Sequence, residues 1–234
     1  MITGFPNDTP ESIARDIELI KKELPLDILE FFFLTPLPGS EDHQVLYRKG
    51  VPMDPDMNKY DLEHCTTGHP RMSVEQWKKA YLDAYSRYYS DEHVETILRR
   101  AAATGLRMNK VADVMTAFSS AARIEGVHPL QCGIVRRKVR TSRRHGMPIV
   151  NPLIFYPVRA VEFVSAVAQW LTVGWRYHSI KKRVLTDPAH KSYVDDATRP
   201  VTIEDVDHDE LVAAFADKIP DTYGAPKRQH AIAS

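Results

Sequence analysis

Apolar and polar positions in the first 34 residues change from strand spacing to helix spacing and back. Ile2 precedes the Gly-Phe-Pro turn at residues 4–6, which indicates the end of a strand. Thr9 and Pro10 predict a helix start, because a threonine hydroxyl caps free N–H groups and proline fits the first helical position. The apolar face of this helix recurs every three or four residues: Ile13, Ile17, Ile20 and Leu24. Pro25 then ends the helix.

A dense apolar run follows at residues 28–34 and contains three phenylalanines. Its length and aromatic content predict a buried strand. Residues 35–40 (TPLPGS) predict a loop, because they combine two prolines with a glycine. Strand end, helix and strand in this order are typical of an α/β barrel or a doubly wound sheet. One full repeat of that pattern is present.

The chain becomes helical from Ser73 onward, after a stretch at residues 41–72 that reads as mostly irregular. Ser73 and Gln76 fit a capping box. The face of this helix carries apolar residues at helical spacing: Val74, Trp77, Tyr81, Tyr85 and Tyr88. Such a stripe could be taken for a cofactor site, but its spacing favours core packing. Further helices are predicted over residues 91–103 and about 108–124.

The last third of the chain is less regular. Residues 127–155 read as a basic loop, and Pro157 is expected to open a long helix that ends near Leu185, with a break near Gly174. Short helical patches are predicted near residues 188–197 and 203–217. We therefore divide the chain into an α/β segment at 1–72, a helical segment at 73–219 and a disordered tail at 220–234.

Charge is balanced overall, with 31 basic and 31 acidic residues, and this balance favours neither nucleic acid nor an anionic membrane as a partner. Residues 1–66 carry 13 acidic and 6 basic side chains, whereas residues 99–145 carry 11 basic and 2 acidic ones. The segment 136–144 concentrates six cations in nine residues. It could bind phosphates, nucleic acid or an acidic lipid surface, but a solvated face or pairing with the acidic first third is favoured.

Three short motifs resemble the cobalamin-binding branch of the radical S-adenosylmethionine proteins. Residues 4–12 (GFPNDTPES) resemble the turn after a late barrel strand, and residues 33–40 (FLTPLPGS) resemble the next strand and its loop. Residues 60–73 resemble the "YD…HPRMS" stretch of the same branch. The resemblance covers residues 2–90 best. It implies a fold that is α/β followed by mostly α, namely the C-terminal remnant of a partial TIM-type barrel with a helical extension.

The resemblance also implies functional residues. In such barrels, ligand chemistry sits at the C-terminal ends of the strands. Cofactor contacts are implied for five residues: Gly4, Pro6, Asp8, Leu34 and Thr35. Asp8 stands where the family usually has glutamate and could accept hydrogen bonds from a ribose or amino group. His69 is implied to face a small-molecule substrate. The first motif is also consistent with a plain strand-to-helix turn and its cap.

The three-cysteine CxxxCxxC motif that holds the 4Fe-4S cluster of this family is missing. The chain has two cysteines, Cys65 and Cys132, and neither lies in such a motif. We therefore expect a C-terminal fragment that lacks the cluster-binding half, is inactive alone and binds none of the family cofactors by itself. Those cofactors are S-adenosylmethionine, the 4Fe-4S cluster and cobalamin. The missing N-terminal half would be a partner, either as part of a longer or split gene product or as a separate subunit.

Other functional interpretations remain open. A non-catalytic accessory or binding protein could use the helices and the basic loop at 136–144. His64, Cys65 and His69 lie close together, but their spacing matches no standard zinc pattern. The helix around residues 159–183 could lie on a membrane surface, although packing against other helices is favoured. A chain with two cysteines and no signal-like start is expected to be cytoplasmic.

Overall fold

A computed structural model describes residues 1–133, 138–143 and 146–199. Residues Met1–Thr198 form one compact unit. Its strands are β1 (Ile2–Thr3) and β2 (Phe32–Phe33), and its helices are α1 (Pro10–Glu23), α2 (Glu41–Arg48), α3 (Val74–Tyr88), α4 (Asp91–Ala103), α5 (Met108–Ile124) and α6 (Pro152–Thr186). Single 3-10 turns lie at Met57–Lys59, Pro129–Gln131, Pro188–Lys191 and Asp196–Thr198. The helical patch predicted at 203–217 and the tail predicted at 220–234 lie outside the described residues.

The predicted strand–helix–strand order of the first 34 residues is confirmed. β1 and β2 pair in parallel, with Ile2 opposite Phe32. Between them, the Thr9 hydroxyl accepts from the Ser12 N–H, and the Ser12 hydroxyl accepts from the Thr9 N–H. This reciprocal cap starts α1 at the predicted residue. Leu24 is an exception to the predicted apolar face, because it ends the helix and is exposed.

The strand predicted at residues 28–34 is shorter than expected, since only β2 itself is paired. In the residues just before β2, tyrosine hydroxyls make the backbone hydrogen bonds that a neighbouring strand would otherwise make. The Tyr89 hydroxyl accepts from the Leu29 N–H at 3.0 Å and donates to the Leu29 carbonyl at 2.9 Å. The Tyr85 hydroxyl bonds the Phe31 N–H and carbonyl at 3.4 and 3.2 Å. Both tyrosines follow the segment by more than fifty residues, so these long-range bonds satisfy an extended backbone without a sheet.

The aromatic stripe of α3 belongs to the core, as predicted, and it packs against β2. Phe33 stacks on Tyr81 with ring centroids 4.3 Å apart and meets Trp77 edge-on at 5.4 Å. The stripe is fully buried except at Val74, which is exposed at the start of the helix. The core therefore lies between the βαβ unit and α3, and it extends to α4, α5 and the end of α6.

The expectation of irregular structure throughout residues 41–72 is wrong, because α2 lies within it. The Ser40 hydroxyl accepts from the His43 N–H and caps this helix, and Glu41 and Asp42 follow in its first turn. None of the residues of α2 is buried. A helix without a packed face leaves no apolar periodicity in the sequence.

The start and the break predicted for the long helix are also wrong. α6 begins at Pro152 with Asn151 as its cap, so Pro157 lies inside the helix. Two prolines five residues apart both suit a first helical turn, and the cap before Pro152 decides between them. The helix continues through Gly174 without a break. The boundaries predicted for α4 and α5 are confirmed.

Acid should destabilise the protein through His93 on α4. This side chain is 4% exposed and packs edge-on against Tyr88 with ring centroids 4.7 Å apart. Burial, with Lys21 and Arg100 nearby, lowers its pKa to about 4. Above about pH 6.5 the imidazole is neutral in both states. Below that pH the unfolded chain binds a proton that the folded chain resists, so the free energy of unfolding falls as the pH falls towards 4.

We expect the wild-type protein to lose about 2 kcal/mol between pH 7 and pH 5 through this residue, measured by urea unfolding. His93→Leu should remove most of that loss. His178→Leu, at an exposed position of α6, serves as the control and should keep the wild-type pH dependence. An unchanged pH dependence in His93→Leu would contradict the assignment.

Candidate functional site

The three motifs of the resemblance meet at the carboxyl ends of β1 and β2. The turn after β1 and the loop before α3 are joined by two hydrogen bonds. His69 Nε2 lies 2.9 Å from the Phe5 carbonyl oxygen, and the Arg71 guanidinium donates to the Asn7 carbonyl oxygen at 2.8 Å. The motif at residues 33–40 continues β2, whose next residue, Leu34, donates its N–H to the Thr3 carbonyl oxygen at 2.8 Å. Segments about 60 residues apart in sequence thus form one surface.

His69 is held as the neutral tautomer that carries its hydrogen on Nε2. Its Nδ1 atom accepts from the Arg71 N–H at 3.1 Å, so Nε2 is the donor to Phe5. The ring is half-buried and lies 5.3 Å from the Trp77 ring. Both ring nitrogens of the residue implied to face substrate are therefore engaged in fixing the loop to the strand end.

Asp8 fixes the turn that leaves β1. Its Oδ2 atom accepts from the N–H groups of Gly4 at 2.8 Å and Phe5 at 2.9 Å. The Asp8 N–H closes the turn on the Phe5 carbonyl at 2.8 Å, with Pro6 at the second turn position, where its fixed φ fits. The carboxylate oxygen that could receive a ligand is thus shared between two backbone donors of the same turn.

Gly4 is required by both its conformation and its neighbour. Its φ of +101° favours glycine, and a Cβ atom at this position would lie 1.9 Å from Cζ2 of Trp77. The group that approaches the Gly4 backbone closely is therefore the indole of α3. Trp77 itself is fully buried, and its Nε1 atom has no hydrogen-bond partner among the described residues.

Leu34 and Thr35 continue β2 at the other strand end. Leu34 is half-buried, and Thr35 is buried with its hydroxyl donating to the Phe33 carbonyl oxygen at 3.2 Å. The two residues implied to lie near the adenosine are thus placed beside the turn of Gly4. The Thr35 hydroxyl donates its hydrogen within its own strand end.

The residues of this chain do not fit a 4Fe-4S cluster. Such a cluster needs three thiolates from CxxxCxxC, and the chain has two cysteines, both free and far apart in sequence. Burial raises the pKa of the Cys65 thiol to about 12 and also raises that of Cys132, which disfavours the thiolates. His64 instead bonds the Asp61 carboxylate at 2.9 Å. The described residues contain no group of three side chains suited to a metal ion.

The basic segment at 136–144 is described only in part, since Arg136, Arg137 and Arg144 lie outside the described residues. Lys138 lies 3.0 Å from Glu162 on α6. Arg140 donates to the Val150 carbonyl oxygen at 3.1 Å, and Arg143 donates to that of Met147. The pairing predicted with the acidic first third is not seen for these three cations.

The contacts of two contributors to the site are not evident from the sequence, although Arg71 lies in the motif at residues 60–73 and Trp77 lies in the predicted apolar stripe. Arg71 and Trp77 act through contacts with residues about 65 to 75 positions earlier, which periodicity does not reveal. Trp77 was interpreted as core, and its apposition to Gly4 is a consequence of that packing. The strand ends, the turn and the two side chains form one rigid corner.

Within the described part of the chain, no helix is both long enough and apolar enough to cross a membrane. The chain was also compared with known protein families, with curated proteins and with solved structures. None of these comparisons finds a match.

Proposed function

We propose that residues 1–72 form the last part of a radical S-adenosylmethionine barrel of the cobalamin-binding type and that the helices after them are its extension. The observation that carries this proposal is the meeting of the three motifs at the carboxyl ends of two parallel strands. Ligand chemistry in such barrels sits at that end of the strands. Motifs that were similar to the family only as short sequences are joined by the bonds of His69 and Arg71 to the turn after β1.

The role of this chain is then to shape one wall of the site. The Gly4–Asp8 turn and the residues after β2 offer a stiff backbone surface, and the substrate would be a small molecule. The complete enzyme would bind S-adenosylmethionine and cobalamin, and its cluster would supply the electron for radical formation. The thiolates for that cluster must come from a second polypeptide segment, because two separated cysteines cannot hold it. Both cysteines are free thiols, which is typical of cytoplasmic proteins and supports a cytoplasmic location for the enzyme.

The free edge of β1 supports a partner of this kind. β1 pairs with β2 in a two-stranded sheet, and its other edge has no strand beside it among the described residues. The carbonyl oxygens of Met1 and Thr3 accept hydrogen bonds from β2 and the residue after it. The N–H and carbonyl groups of Ile2, which lies between them, therefore point to the opposite edge. The Ile2 side chain is exposed. An unpaired edge beside a parallel strand is suited to accept the strand of a cluster-bearing half.

A complementation experiment tests the proposal. The chain is co-expressed with the CxxxCxxC-bearing half of a cobalamin-type radical S-adenosylmethionine protein, supplied with iron, sulfide, cobalamin and a reductant. We expect the two to co-purify and to release 5′-deoxyadenosine from S-adenosylmethionine. Neither should do so alone, and the chain alone should show no visible cluster absorbance.

Two variants sharpen this test. Asp8→Ala frees two N–H groups in the Gly4–Asp8 turn and should lower 5′-deoxyadenosine formation about tenfold, since losing such bonds costs about 1–3 kcal/mol. Asp42→Ala changes an exposed carboxylate on α2 and should leave it unchanged. Failure of the halves to associate, or full activity of the cluster half alone, would favour the alternative of a non-catalytic binding protein.

A further inference from the structure

The outer face of α6 carries apolar side chains that are largely exposed in the described structure. The buried residues of this helix are Trp170, Tyr177, Ile180 and Val184, and all lie in its C-terminal half. The prediction that the helix packs against other helices is therefore confirmed for that half only. The N-terminal half and the side opposite the packed residues face outward.

The exposed side chains form a continuous row, which we call the outer stripe. Its members follow one another at steps of four or three residues: Leu153, Pro157, Val161, Val164, Ala168, Leu171 and Trp175. Steps of three and four keep side chains on one face of a helix, so this row is about 33 Å long. Leu171 is 68% exposed and Trp175 is 72% exposed. A row of this size on a surface marks an interaction site.

Both ends of the outer stripe are basic. Arg140 and Arg143 precede it and donate to backbone carbonyls, so their charges are not offset by a carboxylate in these bonds. Lys182 follows it, seven residues after Trp175 on the same face, and is exposed. The neighbouring Lys181 lies on the packed side, where its ammonium bonds the Asn109 amide oxygen of α5 at 2.8 Å. The charged pair within the helix, Arg159 with Glu162, lies on the other side.

This charge pattern decides between occupants. A second copy of the chain would bring cationic ends together in either a parallel or an antiparallel pairing, and like charges in contact oppose association. A surface of anionic lipids attracts both ends and accepts the apolar row between them. α6 does not qualify as a membrane-spanning helix, so it would lie along the surface.

We propose that the outer stripe of α6 docks on a lipid surface that contains anionic headgroups. The stripe enters the boundary between headgroups and acyl chains, and the flanking cations contact the headgroups. Trp175 lies at the C-terminal end of the stripe, where an aromatic ring with one polar atom suits that boundary. This inference goes beyond the proposed function and stands on different residues.

Tryptophan fluorescence provides a direct test. The chain has three tryptophans, of which Trp77 and Trp170 are buried and Trp175 is exposed. The purified full chain is titrated with vesicles of phosphatidylcholine alone or with about a third of phosphatidylglycerol. We expect a blue shift and vesicle flotation with the anionic vesicles, binding at least about tenfold weaker to the neutral ones, and weakening by high salt. Trp175→Phe should float with the vesicles but lose the blue shift.

Matched variants separate the two components of binding. Leu171→Glu should weaken binding at least about tenfold, because it places a charge in the apolar row. Leu130→Glu alters a leucine that is 78% exposed outside the stripe and should bind as the wild type does. Arg143→Gln with Lys182→Gln should cost about fivefold per cation. Lys22→Gln with Lys49→Gln removes two exposed cations elsewhere and should have little effect.

Three outcomes would overturn the proposal. The first is a folded wild-type protein that shows no blue shift or flotation with anionic vesicles. The second is equal loss of binding in Leu171→Glu and Leu130→Glu. The third is a dimer, measured by light scattering, that Leu171→Glu converts to a monomer while vesicle binding stays unchanged; the stripe would then be the contact between two copies.

Discussion

Replacing Arg100 by leucine should lower the free energy of unfolding by about 3–5 kcal/mol, one of the two largest losses expected in this protein. The guanidinium is buried and bonds carboxylates from two distant segments. It lies 2.5 Å from Asp195 beyond α6 and 2.8 Å from Asp27 before β2, and it also donates to the Leu26 carbonyl at 2.9 Å. Asp195 is itself buried, so the leucine variant leaves an uncompensated buried charge.

The adjacent residue provides the control. Arg99 also bonds two carboxylates, those of Glu95 at 2.8 Å and Asp187 at 2.6 Å, but this cluster is more exposed than that of Arg100. Arg99→Leu should cost about 1 kcal/mol or less in urea unfolding. Arg100→Leu combined with Asp195→Asn should recover part of the loss, because the stranded charge is gone. Equal losses in Arg99→Leu and Arg100→Leu would show that burial of the ion pair does not govern its contribution.

Local signals in the sequence predicted the helices that have a packed face. α1 begins after the Thr9 cap, α3 begins after the Ser73–Gln76 capping box, and α4 begins at the predicted residue 91. These signals depend on neighbours three residues away, so the chain encodes them locally. α2 escaped prediction because its cap is present but its face is solvated.

Long-range contacts were not predictable in the same way. The Tyr85 hydroxyl bonds the backbone of Phe31, 54 residues earlier, and the Tyr89 hydroxyl bonds that of Leu29, 60 residues earlier. The residues around the two tyrosines do not indicate these bonds. The apolar run at residues 28–34 therefore has the sequence pattern of a full strand, although only Phe32 and Phe33 are paired. The bond of Arg100 to Asp195 spans 95 residues and has the same origin in tertiary packing.

The resemblance predicts the location of the candidate site and stays a prediction, whereas the contacts of its residues come from the structure. The motifs indicated where the turn and the loops lie, but Asp8 and His69 use their polar atoms to hold that corner together. Gly4 likewise accommodates an indole. In this chain these residues therefore build the shape of the corner, and the radical chemistry proposed for the complete enzyme requires the thiolates of another segment.

Gly4→Ala should therefore destabilise the protein by about 2–6 kcal/mol in urea unfolding. Two physical costs add at this position. A residue with a Cβ atom at φ +101° is strained by about 1–3 kcal/mol, and the new methyl group would overlap the buried Trp77 ring, where overpacking costs about 1–3 kcal/mol. The ring cannot retreat easily, because Phe33 packs edge-on against it at 5.4 Å.

Gly39→Ala separates these two costs. Gly39 has φ +91° and no heavy atom within 4 Å of a built Cβ, so its alanine variant carries the backbone strain alone. The difference between the two variants measures the contact of Gly4 with Trp77. In a Trp77→Leu background the smaller side chain leaves room, and Gly4→Ala should then cost about as much as Gly39→Ala. If Gly4→Ala costs no more than Gly39→Ala in the wild-type background, the close packing of the strand end on α3 is refuted. The site would then lack the rigid corner on which the proposed function depends.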